Sequence, residues 1–269
     1  MDMETLISGG LSEPRWIAVS SQKGGVGKTT TCLSLGASLA EQGLRVLLVD
    51  LDPQGNLTQA LSVEPESLRR TIGDVLLMQA SLPEVSRETA TFNLDLVPAN
   101  RGLILVEKIL HTTREYEYRL KTCLEALRNA YYDVVLLDCP PSFGPLTINA
   151  LTVADQVIIP ITCDYYSFQT LQTHLKLLAV LQNRINLELQ YRMLITLFDG
   201  RTRLSKLFLE QFRLKYDGLL FDTVIPLDIK LRESPMFGRP VNLYASSARG
   251  AQAYRALSGE LITCLEATI

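Results

Sequence analysis

The chain has only two histidines, one tryptophan and five cysteines in 269 residues. His111 and His174 are isolated from each other and from any cysteine pair, so a histidine-rich metal centre is excluded and both read as core or surface residues. Cys32, Cys123, Cys139, Cys163 and Cys264 are odd in number, widely spaced and without a CxxC pair. That argues against a disulfide framework and for reduced thiols in a cytosolic protein. An iron–sulfur cluster shared across a dimer is the lesser alternative. No apolar run approaches the ~18 residues needed to cross a bilayer. Residues 1–13 have no basic stretch followed by an apolar one, so no signal peptide is expected there. Net charge is −3, which does not advertise a nucleic-acid binder. The distribution is uneven, however: Arg201 to Arg255 holds ten basic and five acidic residues, a local +5. Such asymmetry permits a basic face on an acidic protein, and an ordinary solvated surface is the competing reading.

What is present is an α/β pattern. Apolar content of 47% and charged content of 20% suit a globular enzyme with a full core. Strand-like runs occur at Trp16–Ser20, Arg45–Asp50, Leu94–Pro98, Asp133–Asp138, Gln156–Ile161, Arg192–Phe198 and Phe221–Pro226. Several are continuously apolar, as strands covered on both faces are. Helical stretches alternate with them. The expected fold is a single-domain α/β, doubly wound, mostly parallel sheet flanked by helices, spanning 15–269 behind a short flexible lead-in at 1–14.

Ligands of such sheets lie beyond the carboxyl ends of the strands. The first strand is followed by Lys23-Gly24-Gly25-Val26-Gly27-Lys28-Thr29-Thr30, a phosphate loop that departs from G-x-x-x-x-G-K-[ST] because Gln22 stands where the first glycine would. A helix from Thr29 to Glu41 should follow, bringing free N–H groups to an anion. Lys28 should reach the phosphates, and the Thr29 hydroxyl should ligate Mg²⁺. Lys23 is a second lysine, at the mouth of the loop. Asp138 ends the run DVVLLD and reads as the Walker B acid, holding Mg²⁺ directly or through water. Asp52, in DLDPQGN, stands on a loop beyond a strand end and can orient an attacking water. Asp50 is a candidate supporter of the Mg²⁺ shell.

Four segments, SSQKGGVGKTTT, VLLVDLDPQGNLT, DVVLLDCPPS and LFDGRTRLSK…FDTVIP…SARGAQAYRAL, resemble the ParA/Soj family of partition ATPases, within the group that includes MinD. The resemblance runs from about Arg15 to about Leu261. It implies ATP hydrolysis with Mg²⁺, with Gly24, Gly25, Val26, Gly27, Lys28, Thr29 and Thr30 around the phosphates. It implies that Asp52 is the hydrolytic aspartate and that Pro226 lies beside the adenine. Lys23 would cross a homodimer interface to the partner's nucleotide. Arg201 and Lys230 match positions that bind double-stranded DNA without sequence preference, and Arg232 and Arg249 join them as candidates. A ParB-type partner would stimulate hydrolysis, and the protein would be cytoplasmic and nucleoid-associated. Family tails read IPRN-V-R-L-x-EAPSHGKP. Here Leu227 replaces a basic residue, Asp228 introduces an acid and Arg232 adds a base, which implies a rearranged or weakened DNA surface. The resemblance leaves two other roles open. One is positioning of another cargo, an organelle or a chemoreceptor array. The other is a MinD-like membrane-surface ATPase, against which Ala256 to Ile269 argues by having two acids and no base.

Overall fold

The structure, a computed structural model, describes residues 14–124 and 132–266. Eight strands form one sheet in the order β3-β4-β2-β5-β1-β6-β7-β8. They are β1 Arg15–Val19, β2 Val46–Asp50, β3 Arg87–Glu88, β4 Leu94–Val97, β5 Val134–Asp138, β6 Gln156–Thr162, β7 Gln190–Phe198 and β8 Leu220–Pro226. All neighbours pair parallel except β3, which runs antiparallel to β4 at the edge. The seven expected strands are all present, with ends displaced by one or two residues. Arg45 and Asp133 fall just outside their strands and pair with each other. The Arg45 guanidinium donates to both Asp133 carboxylate oxygens, at 3.1 and 2.8 Å, and the Arg45 backbone N–H adds a third bond. β3 had no apolar signature to betray it: both residues are charged and exposed. The expected lead-in lies outside the described residues except for Pro14.

Alternation within the strands explains the two covered faces. On β5, Val134 and Leu136 belong to one core and Val135 and Leu137 to the other. A strand buried on both sides must be apolar at every position, which is why DVVLLD reads as a continuous run. Helix α1 (Lys28–Glu41) packs on the first face with α7 (Arg249–Glu266). Its Gly36 lies so close to the sheet that an added Cβ would come within 2.8 Å of a Leu48 methyl. Helices α2 (Leu103–Thr112), α3 (Pro145–Val153), α4 (Tyr165–Arg184) and α5 (Arg203–Lys215) contribute to the second core. The short α6 (Ile229–Glu233) follows β8 directly. Pro160 is accommodated in β6 because pairing with β1 has already ended at Ile158.

Candidate nucleotide site

The loop between β1 and α1 forms a cradle of glycines. Gly25 and Gly27 hold φ of 72° and 87°, a left-handed backbone that side chains disfavour. A Cβ added to Gly24, Gly25 or Gly27 would meet nothing within 4 Å, so their backbones face open space. That space is a cleft of about 590 Å³, lined among others by Lys28, Thr29, Thr30, Asp52, Pro140 and Arg232. Its size suits a nucleotide-scale ligand. Helix α1 begins at Lys28, one residue earlier than expected, so its N-terminus opens on the cleft. Lys28 is only 7% exposed, and its Nζ lies 3.5 Å from the Lys23 carbonyl. Val26 is buried and anchors the loop: its carbonyl accepts the Thr196 hydroxyl at 2.8 Å.

Two carboxylates stand side by side at the strand ends, because Asp50 and Asp138 are register partners of β2 and β5. They differ in satisfaction. Asp50 accepts the Asp52 N–H at 3.1 Å, the Thr58 N–H at 2.9 Å and the Thr58 hydroxyl at 2.7 Å. It therefore ties down the loop that carries Asp52, a role that Thr58 shares and that the sequence did not reveal. Burial raises its pKa to about 6 against those hydrogen bonds. Asp138 is fully buried, and among the described residues neither of its oxygens has a partner at normal hydrogen-bond geometry, the Thr29 hydroxyl and Cys32 thiol interacting with it only weakly. Burial, then the charge of Asp50, pushes it well above the carboxylate range, and Thr29 and Lys28 offset this only in part. A buried, unsatisfied carboxylate is costly unless a cation joins it. Asp52 is nearly buried, lines the cleft, and accepts the Gln54 N–H at 2.9 Å.

Lys23 is not among the residues lining this cleft. Its ammonium is held by its own chain, 2.7 Å from Asp164 Oδ2, 2.9 Å from Ser167 Oγ and 3.1 Å from Thr162 Oγ1. Asp164 caps α4 through the Ser167 N–H. Burial raises its pKa, but hydrogen bonds from Lys23, Thr162 and Ser167 outweigh that, and the net shift is downward. Behind this cluster, His174 is 2% exposed with both ring nitrogens unpartnered, edge-on to Phe143. Asp164 and Ser167 escaped the sequence reading, since a helix cap carries no functional signature, whereas His174 is a core residue, one of the two roles read for it from its isolation.

The basic candidates gather at a second opening. A groove of about 440 Å³ is lined by Asp199, Arg201, Leu227, Ile229, Arg232 and Arg249, with Phe198 and Gly200. Arg201 donates two 2.8 Å bonds to Asp199, and these bonds hold the Asp199 pKa down at about 2. Lys230 lies outside the groove lining and is paired with Glu233 at 2.8 Å. Pro226 ends β8 opposite Phe198 and is not among the residues lining the nucleotide-scale cleft. Leu197, beside it at the end of β7, does line that cleft and holds φ +52°. A bulky residue there costs about 1–3 kcal/mol and marks a constrained backbone. No sequence pattern announces it.

A parallel doubly wound sheet with a glycine cradle, a buried lysine and a strand-end aspartate defines a P-loop nucleotide-binding protein of the MinD/ParA type. Residues 14–191 match a family model described as an AAA domain. Sporulation initiation inhibitor protein Soj of Bacillus subtilis is 42% identical over 91% of this chain and 97% of its own length. Chromosome partitioning protein ParA of Caulobacter vibrioides is 39% identical over 93% of this chain and 94% of its own. The chain belongs to the ParA/Soj family of P-loop ATPases. Among solved structures, a cobyrinic acid a,c-diamide synthase from Mycobacterium smegmatis with an ATP analogue and magnesium superposes with a TM-score of 0.83. It is 36% identical and covers 95% of this chain and 97% of that one. MinD from Pyrococcus horikoshii with Mg-ADP gives 0.75 at 26% identity, covering 92% and 96%. No helix among the described residues is long and apolar enough to cross a membrane.

Proposed function

We propose that this chain hydrolyses ATP with Mg²⁺, forms an ATP-dependent homodimer, and binds double-stranded DNA without sequence preference. Together with a ParB-type partner it would serve chromosome or plasmid segregation. The observation that carries the reading is Asp138, buried at the end of β5 opposite Val19, the last residue of the strand that leads into the glycine loop, with neither oxygen in a hydrogen bond of normal length among the described residues. Among the described residues, no group of three His, Cys, Asp or Glu side chains can hold a metal by itself. Mg²⁺ is usually held by one or two carboxylates together with substrate phosphates. Thr29 and Asp138 would hold it. When bound, Mg²⁺ supplies positive charge to the phosphate oxygens as the γ-phosphoryl leaves. The loop N–H groups and Lys28 bind the phosphates. Asp52, fixed through Asp50 and Thr58, accepts a hydrogen bond from the attacking water and sets its line to the γ-phosphate.

Lys23 adds the dimer step. Its grip on Asp164 keeps the ammonium out of its own cleft, so it is available to the facing copy once that contact opens. The exchange swaps one carboxylate for a partner's phosphates, and the γ-phosphate supplies the charge that favours it. Pairing two protomers presents two basic grooves and raises DNA avidity through effective concentration. The test is light scattering with ATP and Mg²⁺. Wild type is expected to double in mass and Lys23→Ala to stay monomeric while still binding nucleotide. Equal dimerisation by the variant would remove the cross-dimer role.

A further inference from the structure

Two adjacent large apolar residues stand out in water: Met236 is 83% exposed and Phe237 60%. They are held on a fixed mount. Helix α6 runs without a break into a 3₁₀ turn at Ser234–Phe237, the joining Ser234 being helical at φ −53° and ψ −41°. Along that path Ile229, Arg232 and Met236 fall at i, i+3 and i+7, which is one helical face. Ile229 and Arg232 line the basic groove, so Met236 stands at its rim. The Phe237 ring is backed by Tyr244, stacked at 4.9 Å and 19°. The Tyr244 hydroxyl in turn donates to Glu233 at 2.9 Å. Gly238 closes the turn at φ +61°, so near Ser62 that an added Cβ would collide with it. Arg232 and Arg239 bracket the apolar pair. Both are exposed, and among the described residues neither side chain has an ion pair or hydrogen bond. The acids nearby are already engaged. Glu233 accepts from Lys230 and Tyr244, and Asp228 from the backbone N–H groups of Lys230 and Gly250.

We propose that Met236 and Phe237 form an apolar wedge that enters between neighbouring base pairs of double-stranded DNA from the minor groove, while Arg232 and Arg239 meet phosphates on either side. The wedge rests on the duplex binding proposed above and adds how the duplex is gripped. Unstacking a base step is costly, and the contacts that a kinked duplex makes with flanking basic residues offset that cost. Unpaired arginines on both sides of the tip are placed to make them. No base sequence has to be read, because every base pair offers an apolar face to the tip. Selection falls instead on steps that unstack easily, such as TA. Methionine is unbranched and adapts to a gap of irregular shape. A lipid surface is the other acceptor of apolar and basic side chains together, but it draws its strength from a broad apolar face. Here the tip is narrow, flanked by guanidiniums and continuous with the groove wall.

The test uses the full chain with Mg²⁺ and a non-hydrolysable ATP analogue, so that the paired state meets the DNA. Two short duplexes differ only in a single mismatch at a central TA step, and each carries 2-aminopurine beside that step. Anisotropy reads affinity. The 2-aminopurine fluorescence reads unstacking, which phosphate contacts alone do not produce. Wild type is expected to brighten the probe and to bind the mismatched duplex about 3- to 10-fold more tightly, since a mismatched step unstacks at less cost. The double variant Met236→Ala/Phe237→Ala changes only exposed side chains. It is expected to keep the salt dependence of duplex binding, to leave the probe dark and to bind both duplexes equally. Retention of the brightening or of the mismatch preference by the variant overturns the wedge, as does a wild type that shows neither. Wild type is also expected to stay in solution when vesicles of phosphatidylglycerol are sedimented. Pelleting of wild type but not of the variant would assign the tip to lipid and overturn the wedge. Failure of wild type to bind either duplex would sink the DNA reading and the wedge with it. Duplex binding without unstacking would sink the wedge alone.

Discussion

The nucleotide cleft and the basic groove meet at Arg232 but are built on opposite principles. At the cleft, charge is buried and little matched: among the described residues Asp138, at the β5 end, has no hydrogen bond of normal length, and the Lys28 ammonium meets a carbonyl at 3.5 Å. In the groove, charge is exposed and partly matched: Arg201 is held by Asp199 and, beside the groove, Lys230 by Glu233, while Arg232 and Arg249 carry no ion pair among the described residues. The first arrangement costs stability until a ligand arrives, so it selects that ligand strongly. The second gives up little and gains little, as suits weak contacts with a polymer of repeated phosphates. Substitution should therefore have large, opposed effects on binding and stability in the cleft, and small graded effects in the groove.

Asp138→Asn breaks the comparison most sharply. Removing a buried charge that nothing satisfies should stabilise the ligand-free protein, by about 1–3 kcal/mol. The same change should weaken Mg²⁺-dependent nucleotide binding by at least about 100-fold. Thermal melts with and without Mg²⁺ and nucleotide check both halves. A variant less stable than wild type without ligand would show that Asp138 is satisfied in a way the geometry hides. Asp52→Ala should act on the rate alone: ATP binding is retained, and turnover drops by on the order of 100-fold. Fast hydrolysis by that variant would remove the water-orienting role.

This contrast also explains what was legible in the sequence. The cleft could be read because its chemistry is contiguous: a glycine loop, and aspartates that end apolar strands. The seven long strands were legible for the same reason, since burial on both faces forces continuous apolar runs. The hold on Lys23 could not be read. Thr162, Asp164 and Ser167 lie about 140 residues from it and reach it only because β6 neighbours β1. The matched charges of the groove were hidden differently. DGR and IKLRE show acids near bases, but a sequence does not say whether they touch. The edge strand β3 has no pattern at all.

His174 tests the buried side at smaller scale. Burial lowers its pKa to about 4, whereas the unfolded chain should titrate near 6.5. As pH falls below about 6.5, the unfolded state takes the proton first, so stability is lost until pH approaches 4. The loss by pH 5 is about 2 kcal/mol. His174→Phe should fill the site without the unpartnered nitrogens and remove that loss. Asp50, whose raised pKa works in the opposite direction as pH falls, is common to both proteins. The difference in urea stability between variant and wild type from pH 7.5 to 5 therefore isolates the histidine. A constant difference would mean that the imidazole does not titrate between native and unfolded states.

Asp199→Asn should give the smallest effect, and it probes the matched side directly. Asparagine can still accept the Arg201 backbone N–H, which now lies 3.1 Å from Oδ1, so the turn is kept. What is lost is the charge that occupies the guanidinium. Arg201 is then available to a DNA phosphate, and duplex affinity should rise a few-fold near 0.1 M salt. The slope of log affinity against log salt should steepen by about 1 for each phosphate newly contacted. Anisotropy over a salt series reads both quantities, and nucleotide affinity is a control that should not move. An unchanged slope would mean that Arg201 makes no phosphate contact. The groove would then depend on Arg232 and Arg249, the two of its arginines that no carboxylate holds within ion-pair distance.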